Sequence, residues 1–174
     1  YKRQNLMSNI DGLFVLGEAN YSVHGANRLG ANALLQCLCD GYFISPKTIT
    51  SWLANSQEID DRKIDEACKE ALNYVDEKIK FLLKINGDKT VDYFHRALGE
   101  IMISKCGISR NRNDLKSALE EVKILSNNFY SNLKIPETNS GLNVELEKAL
   151  RLEDFIELSI LMIKDAIERE ESCG

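Results

Sequence analysis

Over most of this chain, apolar and polar positions alternate with a helical period. Between residues 60 and 85, Ile64, Ala67, Cys68, Ala71, Val75, Ile79 and Leu82 recur at steps of three and four, with Asp, Glu, Lys and Asn on the other face. That pattern predicts one long amphipathic helix packed through its stripe. Asn86-Gly87-Asp88 stops it, with Gly87 able to take the left-handed position that follows a helix C-terminus. Thr90 is placed to cap a further helix that turns Val91, Phe94, Leu98, Ile101 and Met102 inward, closed by Cys106-Gly107. Asn111 or Asn113 starts the next, with Leu115, Ala118, Leu119, Val122, Leu125 and Phe129 inward, and it ends before Pro136. The last runs from about Asn143 to Glu171 and carries Leu146, Ala149, Leu150, Phe155, Ile156, Ile160, Ile163 and Ile167. Connections of roughly four to twelve residues favour antiparallel neighbours.

Upstream the pattern changes. Leu13-Phe14-Val15-Leu16 is a short continuous apolar run and reads as a buried strand. It ends at Gly17-Glu18, passes through a Gly- and Asn-rich loop that holds His24 and Arg28, and enters an apolar helix over 32–44. Leu34, Leu35, Leu38 and Tyr42 sit at helical spacing there. Ser45-Pro46 interrupts that helix, because the residue before Pro avoids the α region. A short helix over 46–54 follows, with Pro in its first turn. No second strand is available to pair with residues 13–16, and a lone strand leaves its backbone groups unpaired. We therefore expect a piece of a longer protein, as a start without Met also suggests, with the matching sheet upstream. Residues 1 to about 30 are then expected to be mobile, or captured by a neighbouring molecule. The fold class expected is all-α: an antiparallel helical bundle over 56–174, preceded over 1–55 by a strand-loop-helix remnant of another domain.

Composition narrows the function. The chain has 174 residues and a net charge of −5, from 27 acidic against 22 basic side chains, so nothing draws it to nucleic acid. No run of 18 apolar residues is present, which argues against a membrane span, and no signal peptide is visible. Five cysteines without CxxC spacing read as reduced thiols in a cytoplasmic setting, used as small buried apolar side chains. Cys37 and Cys39 lie two apart and make a poor metal pair on a helix; no metal site is expected.

The chemistry-bearing segment is 12–35, where strand, small-residue loop and helix N-terminus make an edge suited to an anion or cofactor. Taken singly, its residues have plainer readings. Arg28 would be a surface or dipole-facing arginine, Glu18 a strand-end acid, and His24 a group satisfying loop backbone. His95 reads as a partly buried structural residue. Asp60-Asp61 and Glu170-Glu171 read as solvated helix ends.

Taken together, Gly12-Leu13-Phe14-Val15-Leu16-Gly17-Glu18, His24-Gly25-Ala26-Asn27-Arg28-Leu29-Gly30 and Asn32-Ala33-Leu34 closely resemble the flavoprotein subunit of succinate dehydrogenase and fumarate reductase. Thr90 to His95, Cys106 to Asn111 and Arg169 to Gly174 resemble its C-terminal helical domain, and Cys173 matches a branch found in Bacteroidetes-type quinol:fumarate reductases. L-aspartate oxidase and adenylylsulfate reductase share the architecture. The resemblance implies that residues 1–55 are the end of an FAD-binding domain. It implies that Arg28 clamps a carboxyl group of the dicarboxylate substrate, a task suited to a planar guanidinium fork. Glu18 matches the acid that bonds the FAD ribose, and Ala33 and Leu34 match the residues whose backbone N–H groups meet the flavin pyrimidine edge. A Ser often stands where Ala33 does, and a backbone contact survives that difference. His24 and His95 match neither the flavin-linked nor the substrate-binding histidine.

As implied by the resemblance, the complete protein interconverts succinate and fumarate by hydride transfer at FAD. It would be coupled to quinone through an iron-sulfur subunit and a membrane cytochrome b subunit, on the cytoplasmic face of the inner membrane. The Gly-rich phosphate cradle, flavin-linked His, substrate His and proton-delivering Arg match nothing in this chain, so the chain alone is expected to hold no FAD and to be inactive. The alternatives are a helical docking module without activity of its own, or the corresponding part of L-aspartate oxidase.

Overall fold

The computed structural model describes residues 6–20, 30–56, 60–136 and 141–170. They fall into two compact units, one reaching Asp60 and the other spanning Asp61–Glu170. Both are helical, and among the described residues backbone pairing outside helices is limited to isolated bridges.

The second unit is built from α3 (Asp61–Lys84), α4 (Val91–Cys106), α5 (Arg112–Asn132) and α6 (Val144–Glu168). Thr90 caps α4 as expected, and Asn111 and Asn143, expected only as helix starts, cap α5 and α6. Thr90 Oγ1 accepts the Tyr93 N–H at 3.3 Å, Asn111 Oδ1 the Asp114 N–H at 2.9 Å, and Asn143 Oδ1 the Leu146 N–H at 3.1 Å. Each cap satisfies a first-turn donor that has no partner inside its helix. The core joins Val91, Phe94 and Leu98 of α4 to Leu115, Ala118, Val122 and Phe129 of α5 and Ala149, Leu152, Ile156 and Ile163 of α6. Phe94 and Phe129 meet edge to face at 5.5 Å, a favourable arrangement of ring quadrupoles. Lys105, at the end of α4, reaches Ser117 and Glu121 near the start of α5, so these two helices run antiparallel.

Several expectations need correction here. The α3 stripe is not core along its length: residues 61–77 are all exposed, and Leu82 alone in the helix is fully buried. Amphipathicity states which face favours cover, and in the described residues only the last turns of α3 receive it. Gly87 does not stop α3 with a left-handed residue, since its φ is not positive. Its N–H donates to Leu133 O at 3.0 Å, and a Cβ there would lie 2.0 Å from the Asn132 carbonyl. Glycine is required by close backbone approach, as the α3–α4 connection is clipped to the exit of α5. In α6, Phe155 is 45% exposed while Leu152 and Ser159 are buried. Ser159 is tolerated because its hydroxyl donates to Phe155 O at 2.7 Å. His95 is exposed rather than partly buried, its ring 6.1 Å from that of Phe155. Of the cysteines, Cys106 is buried, Cys39 intermediate, and Cys37 and Cys68 exposed; Cys173 lies outside the described residues.

A polar knot ties α3 to the bundle. Lys78 Nζ lies 2.6 Å from Glu153 Oε2, and the Tyr130 hydroxyl donates to Glu153 Oε1 at 2.7 Å. Burial, then the bond to Glu153, holds the Tyr130 pKa well above its ordinary 10.0. The hydrogen bond to Glu153 raises that of Lys78 above 10.5. Both shifts favour the protonated form in the folded state. Their contribution is therefore complete below pH 10.0 and is lost as pH rises through the folded values. Denaturant midpoints measured from pH 8 to 12 are expected to fall at the alkaline end, and less steeply in Tyr130→Phe. An unchanged alkaline slope in that variant would remove the tyrosine from the explanation.

The first unit differs more from expectation. Residues 13–16 form no buried strand: Leu13 and Leu16 are exposed, and the segment folds back on the residues before it. Met7 bridges Phe14 antiparallel, Ser8 N–H donates to Leu13 O and Val15 N–H to Leu6 O, each at 2.8 Å. Residues 6–8 thus pair with this segment, across a turn with Gly12 at φ +80°. Residues 6–20 accordingly have contacts of their own. The ring of Trp52 packs edge to face on Phe14 at 6.2 Å, and its indole N–H donates to Asp11 at 3.1 Å.

Helix α1 (Asn32–Cys39) runs through a π-helical turn (Asp40–Ile44) straight into α2 (Ser45–Asn55). No break occurs at Ser45-Pro46. Ser45 is helical and its N–H reaches back five residues to Asp40 O; Pro46 then falls where a missing N–H costs nothing. Leu34, Leu35, Leu38 and Tyr42 are exposed, whereas Ala33 and Asp40 are buried.

Candidate cofactor edge

Gly17 organises the candidate site. It opens a short 3-10 turn (Gly17–Ala19) at φ +62°, a conformation natural to glycine. Its N–H donates to Asp40 Oδ2 at 3.0 Å, and its carbonyl accepts from Gln36 Nε2 at 3.1 Å. A Cβ on Gly17 would lie 2.3 Å from Cys37 Sγ. The turn is thereby held against α1, and Glu18, the next residue, is exposed on it. Gly17→Ala is expected to lower the melting temperature of the first unit through both the strained φ and the clash. Heteronuclear NMR would show it as loss of dispersed signals from residues 6–20 while the bundle is retained. An unperturbed spectrum would count against the packing described.

Among the described residues, no side chain caps the start of α1, and Ala31 precedes it at φ 50°, ψ 1°. The first bond along the helix runs from Leu35 N–H to Ala31 O at 3.0 Å. The N–H groups of Asn32, Ala33 and Leu34 therefore have no acceptor within the helix, and the helix dipole adds partial positive charge there. The Ala33 side chain is buried and Leu34 is exposed.

Arg28 and His24 lie outside the described residues. Glu18, Ala33 and Leu34 all fall in one compact unit. Sequence reasoning passed over Gln36, Cys37 and Asp40, which fix the turn. The available signal was the pair of polar residues four apart, Gln36 and Asp40, in an otherwise apolar helix. Among the described residues, no three His, Cys, Asp or Glu side chains cluster as a metal would need.

The described residues form a helical protein whose first unit holds a helix start that no side chain caps. Comparison with known proteins carries this further. Residues 95–174 match the family model described as fumarate reductase flavoprotein C-term. The succinate dehydrogenase flavoprotein subunit of Bacillus subtilis is 27% identical over 97% of this chain and 28% of its own length. The fumarate reductase flavoprotein subunit of Helicobacter pylori is 30% identical over 96% of this chain and 23% of its own. Among solved structures, a quinol fumarate reductase FrdA chain of E. coli superposes with a TM-score of 0.78 at 25% identity, over 98% of this chain and 28% of that one. Residues 95–174 thus match the C-terminal part of this family, and the chain is similar along nearly its whole length to succinate dehydrogenase and fumarate reductase flavoprotein subunits. It spans roughly a quarter of the length of these relatives.

Proposed function

We propose that the complete protein interconverts succinate and fumarate at FAD, and that this chain supplies one side of that site. The observation that carries the reading is the uncapped start of α1 beside the pinned Glu18 turn, in a chain similar along nearly its whole length to such subunits. FAD, when bound, supplies the hydride acceptor or donor. Glu18 accepts a hydrogen bond from the ribose, the Ala33 and Leu34 N–H groups hold the pyrimidine edge, and Arg28 orients a substrate carboxylate. Residues 1–55 are the end of the FAD-binding domain and 56–174 the helical domain. The chain alone lacks the phosphate cradle and is without FAD or activity. Partners of the complete protein are an iron-sulfur subunit and a membrane cytochrome b subunit, which place it on the cytoplasmic face of the inner membrane. No helix of the described residues is long and apolar enough to cross a membrane.

The test is purification of the complete flavoprotein, measuring flavin content and turnover of succinate, fumarate and L-aspartate with artificial electron carriers. A yellow protein active on the first two and not the third is expected. Activity on L-aspartate alone, or no flavin, would overturn the reading. Glu18→Gln is expected to weaken flavin retention roughly tenfold, as loss of a charge-assisted hydrogen bond.

A further inference from the structure

Gly17 is gripped from both sides by one helix. Asp40 Oδ2 accepts its N–H at 3.0 Å and Gln36 Nε2 donates to its carbonyl at 3.1 Å. Residues 36 and 40 are four apart, so both side chains leave the same face of the helix. Asp40 is 7% exposed. A carboxylate so placed is costly unless bonded, and bonding a backbone N–H is what offsets the cost. Asp40 also opens the π-helical turn, and its carbonyl takes the five-residue-back bond from Ser45. Widened turns of this kind re-aim a side chain relative to a regular helix. Between the two grips, the missing Cβ of Gly17 lets the turn close onto Cys37.

We infer that Asp40 and Gln36 are positioning residues that set the Glu18 carboxylate relative to the α1 N-terminus, and so act on FAD through Glu18. The reasoning rests on the role proposed above for Glu18. The side-chain bracket holds the N–H and the carbonyl of Gly17, one group from each of the two peptides that flank its Cα, and so fixes the backbone immediately before Glu18. Glu18 and the Ala33 and Leu34 amides are thereby held on one rigid piece, α1 with its bracketed turn. A ligand that must meet both at once gains from that preorganisation. Neither positioning residue needs to touch the ligand.

The experiment uses the complete flavoprotein and a double-mutant cycle. FAD dissociation constants are measured in complete flavoprotein whose flavin-linked histidine is substituted so that FAD binds reversibly, with residues 36, 40 and 18 otherwise unaltered, as the wild type of the cycle. They are also measured in the same protein carrying Asp40→Leu, Asp40→Asn, Gln36→Met, Glu18→Ala, and each positioning variant combined with Glu18→Ala. Hydrogen exchange at the Gly17 amide is followed in the flavin-free proteins. Asp40→Leu is expected to weaken FAD roughly tenfold, the scale of one lost charge-assisted hydrogen bond, and to speed Gly17 exchange. Asp40→Asn keeps an acceptor and is expected to stay within about twofold of the wild type for both. In the Glu18→Ala background, Asp40→Leu and Gln36→Met are expected to have little further effect on FAD, because they act through the side chain already removed. Full additivity with Glu18→Ala, or wild-type affinity in Asp40→Leu, would overturn the inference. Should Asp40→Leu not fold, the same cycle with Gln36→Met, whose side chain is only partly buried, decides the question. Wild-type affinity in Glu18→Ala would instead overturn the role of Glu18 itself.

Discussion

Arg28→Lys in the complete flavoprotein is expected to cut kcat/KM for succinate or fumarate about ten- to a hundredfold, with flavin content nearly unchanged. Lysine keeps the charge but replaces a planar two-bond fork with a point donor. The loss corresponds to a charge-assisted hydrogen bond of roughly 1.5 to 3 kcal/mol, and a misplaced substrate carbon adds to it. Steady-state turnover measured beside bound flavin separates the alternatives. Unchanged turnover would remove Arg28 from the site. Loss of flavin together with activity would make it a cofactor ligand.

The second large effect concerns the bundle. Phe129 is fully buried and sits between two rings, 5.5 Å from Phe94 and 5.2 Å from Tyr130. Phe129→Ala removes those contacts and leaves a cavity between α4 and α5, at a cost of about 3–5 kcal/mol. Denaturant unfolding of this chain should show a strongly lowered midpoint with little change in slope. Ile103→Ala, at a side chain 81% exposed, should stay within about 0.5 kcal/mol of the wild type. If Phe129→Ala behaved like Ile103→Ala, the core described for the second unit would be wrong.

The bundle from α4 onward was legible because local signals agreed with one another. Thr90, Asn111 and Asn143 combine the chemistry of a cap with a position just before an apolar period, and all three cap in the structure. The candidate site was legible in another way. Glu18, Arg28, Ala33 and Leu34 were found by resemblance, since no period or spacing singles out an exposed acid on a turn. Gln36 and Asp40 escaped notice because what they bind are backbone groups about 20 residues earlier, and side-chain patterns do not show the backbone.

What the sequence by itself determined are the properties written in neighbouring residues: where helices start, which face of each is apolar, and the family motif. Tertiary structure decided whether an apolar face finds a neighbour and where two backbones touch. The stripe of α3 is as regular as that of α5, yet residues 61–77 stay exposed while Leu115, Ala118, Val122 and Phe129 are buried. Gly87 and Gly17 are required by Asn132 and Cys37, residues 45 and 20 positions away. Helix periodicity is a local free-energy preference that any three or four turns can express. Burial and close approach need a second surface, and only the folded chain determines which one is there.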